Sequence, residues 1–136
     1  MSAGHRVELR IPSRAEFVST ARLVVSSVAC RLDFGIDAID DLKLAVGEAC
    51  TNAIKHSPAD SEIIIAYELH PDHLIVEVVD HGRGFDPSAR PSVDIDELPQ
   101  SGLGLMVIEA VMDEVCFQSS PEQGTRVRMV KRRPTK

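Results

Sequence analysis

Ile63, Ile65, Tyr67 and Leu69 recur at every second position, Pro71-Asp72 breaks the run, and Leu74, Val76 and Val78 resume the same period. Two such runs around a Pro-Asp turn predict a β-hairpin. Both strands are apolar enough to lie in the middle of a sheet, and a sheet with an apolar face needs a second layer to cover it. A third run, Val7, Leu9 and Ile11, alternates with Arg6, Glu8 and Arg10 and stops at Pro12, which fits an edge or terminal strand.

The covering layer is written in the helical period. Ser13-Arg14-Ala15-Glu16 reads as a capping box. Phe17, Ala21, Val24, Val28 and Leu32 follow at helical spacing until Gly35, so a first helix is expected from Arg14 to about Asp33. Asp37 is the expected cap of a second helix, Asp40 and Asp41 suit its first turn, Leu42, Val46, Ala49 and Ala53 form its apolar stripe, and Pro58 closes it. Leu103, Val107, Ala110 and Val111 begin a third, followed by strands around Val115 to Gln118 and Thr125 to Val130. Before that helix, His81 to Ser101 turns to Gly, Pro, Ser, Asp and Arg without periodicity. Compact domains seldom carry such a stretch without a functional reason, and a mobile lid is expected there, ordered by nucleotide from Asp86 to Ser101. The expected architecture is a two-layer α+β sandwich, a mixed or antiparallel sheet with three helices on one face.

Composition narrows the function. The chain has 136 residues, 43% of them hydrophobic and 26% charged, which suits a single domain over 1–136. Fifteen Lys and Arg against 21 Asp and Glu leave a charge of −6, with no general electrostatic reason to bind nucleic acid. No apolar run approaches the roughly 20 residues that span a bilayer, and Met1 to Ile11 is charged where a signal peptide needs an apolar core, so a cytoplasmic protein without a membrane partner is expected. Cys30, Cys50 and Cys116 form no Cys-x-x-Cys pair and read as reduced structural thiols. His70 and His73 flank the hairpin turn with no third ligand in sight, His56 ends a helix where an imidazolium suits the dipole, and Lys131 to Lys136 reads as a solvated basic end.

Glu48 and Asn52 stand at i and i+4 on the second helix, off its apolar stripe, with Leu44 and Lys55 on the same face. Polar residues on the back of an amphipathic helix ordinarily face water, so this row gains meaning only beside other motifs. Asp80-His81-Gly82-Arg83-Gly84-Phe85 places an acid at the end of an apolar strand, then two glycines that let the backbone approach a ligand. Pro87 stands where a dinucleotide fingerprint would have its third glycine. Ser101-Gly102-Leu103-Gly104-Leu105 is expected at the start of the third helix, where free N–H groups and the helix dipole favour phosphate oxygens. Gly-Lys-Ser and Gly-Lys-Thr occur nowhere, which excludes a P-loop.

In this order, Glu48 to Ala53, Asp80-x-Gly82-x-Gly84, Gly102-x-Gly104 and Gly124-Thr125 resemble the nucleotide boxes of the GHKL ATPase and kinase superfamily, whose ATP-binding domain is the Bergerat fold. The resemblance covers nearly the whole chain, and the compact form with a leading strand and helix is similar to the bacterial anti-sigma-factor serine kinases. Histidine kinases share the boxes but carry more chain.

The resemblance implies ATP as substrate and Mg²⁺ as cofactor. It makes Asn52 the Mg²⁺ ligand, Glu48 the catalytic base, Asp80 the reader of the adenine amino group with Thr125 beside it, and Lys55 a phosphate contact. Gly82, Gly84, Gly102, Leu103 and Gly104 would line the nucleotide. It implies a homodimer that holds a sigma factor and phosphorylates a serine of an anti-anti-sigma partner, with Arg22 on the first helix as a partner contact whose side chain points away from the apolar stripe. Gln100 stands where many relatives have an arginine, with Arg83 and Arg90 as candidate substitutes. The rival readings are a non-catalytic ATP-binding module that holds a partner, and an ATPase domain serving a histidine-kinase pathway.

Overall fold

The computed structural model describes residues 4–58, 60–80, 97–120 and 124–133. Among them, five strands form one sheet: β1 (His5–Pro12), β2 (Glu62–Leu69), β3 (His73–Asp80), β4 (Glu114–Ser120) and β5 (Gly124–Arg132). Their order is β1-β2-β3-β5-β4, and every neighbouring pair is antiparallel. Both hairpin strands are therefore interior and β1 is an edge, as the alternation predicts. At the hairpin tip His70 N–H donates to the His73 carbonyl at 3.0 Å, and the two imidazoles stack with centroids 4.4 Å apart.

Three helices, α1 (Val18–Arg31), α2 (Ile36–Lys55) and α3 (Glu97–Val111), cover one face. The core joins Ala21, Val25, Val28 and Ala29 of α1, Leu42, Val46 and Ala49 of α2 and Ile108 of α3 to the inward row Ile63, Ile65, Tyr67, Leu74, Val76, Val78, Val127 and Met129. Tyr67 takes its hydroxyl into this core and donates it to the Ala21 carbonyl at 3.0 Å, so the one polar atom of a large buried ring is satisfied against the first helix. The opposite face carries charge on β1, β2, β3 and β5, with pairs Arg6–Glu68 at 3.3 Å, Arg10–Glu62 at 3.5 Å and Arg126–Glu77 at 3.6 Å. The first two pairs are exposed and contribute little individually, and Glu77 of the third is half-buried.

The helix ends differ from expectation in an instructive way. The capping box does not form. Ser13 turns inward, buried, with its hydroxyl 2.6 Å from that of Ser57, and a short 3₁₀ turn (Ala15–Phe17) precedes α1. Gly35 does not stop α1. Asp33 does, with φ of 62°, while Phe34 N–H donates to Ala29 O at 3.1 Å and Asp33 N–H to Cys30 O at 3.0 Å, the two bonds of a Schellman ending. Gly35 instead begins α2 and accepts the Ile39 N–H at 2.9 Å, which leaves Asp37 inside the first turn rather than at the cap. Lys131 and Arg132 belong to β5 and not to a solvated end.

Candidate nucleotide site

The four polar or charged side chains buried among the described residues are Ser13, Asn52, Asp80 and Thr125. Buried polar groups are the informative ones, because burial costs free energy unless a partner or a ligand offsets it. Ser13 is accounted for by Ser57. The other three are the residues expected to meet Mg²⁺ and adenine.

Asp80 is the last residue of β3, and the register sets it opposite Thr125 of β5 on one side and Ile63 of β2 on the other. Its parity puts it on the helix-covered face, in the row of Leu74, Val76 and Val78, and it has no solvent exposure at all. Thr125 follows the same parity on β5 and is 2% exposed. Its hydroxyl lies 3.3 Å from that of Ser119 on β4. Sequence reasoning missed Ser119, although the alternation Val115, Phe117, Ser119 already put it on the inward face.

The α2 helix packs on β3 and β5 and carries Asn52 over the sheet. Asn52 is 8% exposed, so it does not face open water as the back of an amphipathic helix would. One turn earlier Glu48 is half-buried, and three residues later Lys55 ends the helix, exposed. Glu48 leans on α3: a methyl built on Gly104 would come within 3.3 Å of its Oε1. The structure thus brings together Glu48 and Gly104 across two helices, and Asp80, Thr125 and Ser119 across three strands.

Two expectations need correction. The α3 helix begins at Glu97, so Gly102, Leu103 and Gly104 lie inside it and not at its free N-terminal N–H groups. The expected lid to Ser101 is helical from Glu97 onward for the same reason. Arg22 is exposed, away from the apolar stripe as expected, and its Cδ lies 3.5 Å from where a Gly47 side chain would begin, beside α2. Gly82, Gly84, Arg83, Arg90 and the first part of the lid lie outside the described residues.

Asn52 offers a neutral, hard amide oxygen from a rigid helix, which fits Mg²⁺, an ion that takes one or two protein ligands and completes its octahedron with phosphate oxygens and water. Among the described residues no helix is long and apolar enough to cross a membrane.

An antiparallel sheet under three helices, with Glu48-x-x-x-Asn52 on α2 and Asp80 at the end of β3, is the arrangement of a histidine kinase-like ATPase domain; the model of that family matches residues 11–131, and the chain belongs to it. A histidine kinase domain of the blue-light activated kinase EL346 from Erythrobacter litoralis shares the fold, with a TM-score of 0.55 at 18% identity over 89% of this chain and 61% of that one. Within the family the chain stands with the serine-protein kinases. It is 40% identical to Serine-protein kinase RsbW of Bacillus velezensis and 38% identical to that of Bacillus subtilis, each over 92% of this chain and 84% of the relative. With the same kinase of Oceanobacillus iheyensis the identity is 37% over 85% of this chain and 80% of the relative.

Proposed function

We propose that this chain is an ATP-dependent protein serine kinase that acts as an anti-sigma factor, holding a sigma factor and phosphorylating a serine of an anti-anti-sigma partner in the cytoplasm. The observation that supports it most is the burial of Asn52, Asp80 and Thr125 on one side of a sheet in a chain similar to serine-protein kinases over nearly its full length. The homodimer expected for the family is part of the same reading.

Asp80 accepts the adenine N6–H, which guanine lacks, and Thr125 with Ser119 completes the polar floor. Asn52 would hold Mg²⁺ through its amide oxygen together with phosphate oxygens; the ion, when bound, neutralises charge on the transferring phosphoryl group. Lys55 meets a phosphate from the end of α2, and the glycines of the two boxes allow backbone to approach the triphosphate. Glu48, one turn from Asn52, takes the proton of the substrate serine as its oxygen bonds to the γ-phosphorus. The bond from that phosphorus to the β–γ bridging oxygen breaks, and ADP leaves with the electron pair. Arg22 serves the partner and not the nucleotide.

The test pairs calorimetry with phosphoryl transfer from labelled ATP to a candidate anti-anti-sigma protein. Asp80→Asn should weaken ATP by about 1 to 3 kcal/mol, the loss of a buried hydrogen bond to a charged acceptor. Glu48→Gln should keep ATP affinity and lower transfer about a hundredfold or more. Equal affinity of the native chain for GTP would remove the adenine assignment, and ATP binding without any transfer would favour the non-catalytic binding module.

A further inference from the structure

Glu48 makes no hydrogen bond or ion pair with another described residue. Its Oε1 lies beside the bare backbone of α3 at Gly104. A side chain begun there would meet Glu48 Oε1 at 3.3 Å, closer than ordinary van der Waals contact, and among the described residues it would meet nothing else within 4 Å. The contrast with Gly47 on the neighbouring helix is useful. There the same added carbon would meet Arg22 Cδ at 3.5 Å, an ordinary van der Waals contact.

We propose that Gly104 is a positioning residue for Glu48: the missing side chain leaves the room that lets the carboxylate rest against α3 in the place from which it takes the serine proton. The proposal rests on the reading of Glu48 as the base. It assigns Gly104 a role apart from any approach of its backbone to phosphate. A methyl at position 104 displaces the carboxylate by a few tenths of an ångström or turns it to another rotamer, and proton transfer is sensitive to placement on that scale. Alanine is also the better helix former at a position within α3, so the same substitution favours the fold.

Stability and activity should therefore move in opposite directions. Gly104→Ala should melt at the native temperature or above it and, at saturating ATP, transfer phosphoryl roughly ten- to a hundredfold more slowly, a loss beyond any change in ATP affinity. Glu48→Asp provides the second arm, because a side chain one methylene shorter withdraws from position 104. In that background Gly104→Ala should cause no further loss. Native transfer by Gly104→Ala overturns the proposal, as does a fall in ATP affinity that accounts for the whole loss, or an equal factor lost in both backgrounds. Native transfer by Glu48→Gln would instead remove the underlying base assignment, and the two failures are distinguished by which single variant stays active.

Discussion

A carboxylate without any exposed surface is an expensive placement, since an ionised group loses most of its hydration on burial. Asp80 ends its strand opposite Thr125, whose hydroxyl lies 3.3 Å from that of Ser119, so its neighbourhood is polar. Cys50 illustrates the opposite solution. It is buried on α2 among apolar side chains, and desolvation pushes its thiol from 9.0 up to about 12, so the group stays neutral. Its folded pKa lies above its unfolded one. The stability it contributes is complete below pH 9.0 and is lost as pH rises toward about 12. Cys50→Ala should flatten that part of the stability curve, and a thiol reagent at neutral pH should modify the exposed Cys30 and Cys116 in the folded chain but reach Cys50 only on unfolding. Three thiols reacting at one rate would refute the burial. Asn52, Asp80 and Thr125 were singled out in the sequence by the resemblance of four boxes taken together, none of which is specific alone, and all three are buried. The Glu48–Gly104 contact was not, because it exists only once two helices pack.

Among the elements, the turn from α1 to α2 holds the least expected chemistry. Asp33 adopts φ of 62° where glycine is the usual occupant, and the buried Phe34 that follows closes the Schellman bonds. Left-handed backbone costs an ordinary side chain about 1–2 kcal/mol, and aspartate less. Asp33→Val should therefore lose about 1–2 kcal/mol in denaturant unfolding, while Asp33→Gly should lose none. Equal losses would show that the aspartate side chain, not its backbone, matters. The strands were readable to within a few residues because a period of two has few causes. Helix ends were less so. Ser13 can cap a helix or bond another serine, and Gly35 can end one helix or begin the next; local sequence does not choose between them. The start of α3 was missed because Glu97-Leu98-Pro99-Gln100 shows no apolar period, and a proline in a first helical turn costs no hydrogen bond.

At the scale of the whole molecule, one ammonium joins both layers. Lys131 of β5 is 15% exposed and donates to the Val111 carbonyl at the end of α3, at 2.5 Å, and to Asp41 Oδ2 in α2, at 3.2 Å. It satisfies a helix C-terminus, complements its dipole and pins two helices to the sheet. Lys131→Met keeps the aliphatic stem and removes both bonds, and should cost about 1–3 kcal/mol with loss of cooperativity between α3 and the sheet, measured by hydrogen exchange. Unchanged protection of α3 would show the tie to be incidental. The ends of the described chain share a different neighbourhood. Gly4 lies against the His70 ring, and Arg133 N–H donates to the Asp72 carbonyl at 2.8 Å, so both ends meet the tip of the β2–β3 hairpin. That tip and Asp80 are opposite ends of β3, seven residue steps of ~3.3 Å or roughly 23 Å apart. A dye attached at Gly4 or at Arg133 therefore sits beside the same loop and away from Asp80, and two dyes placed at these positions should transfer energy efficiently.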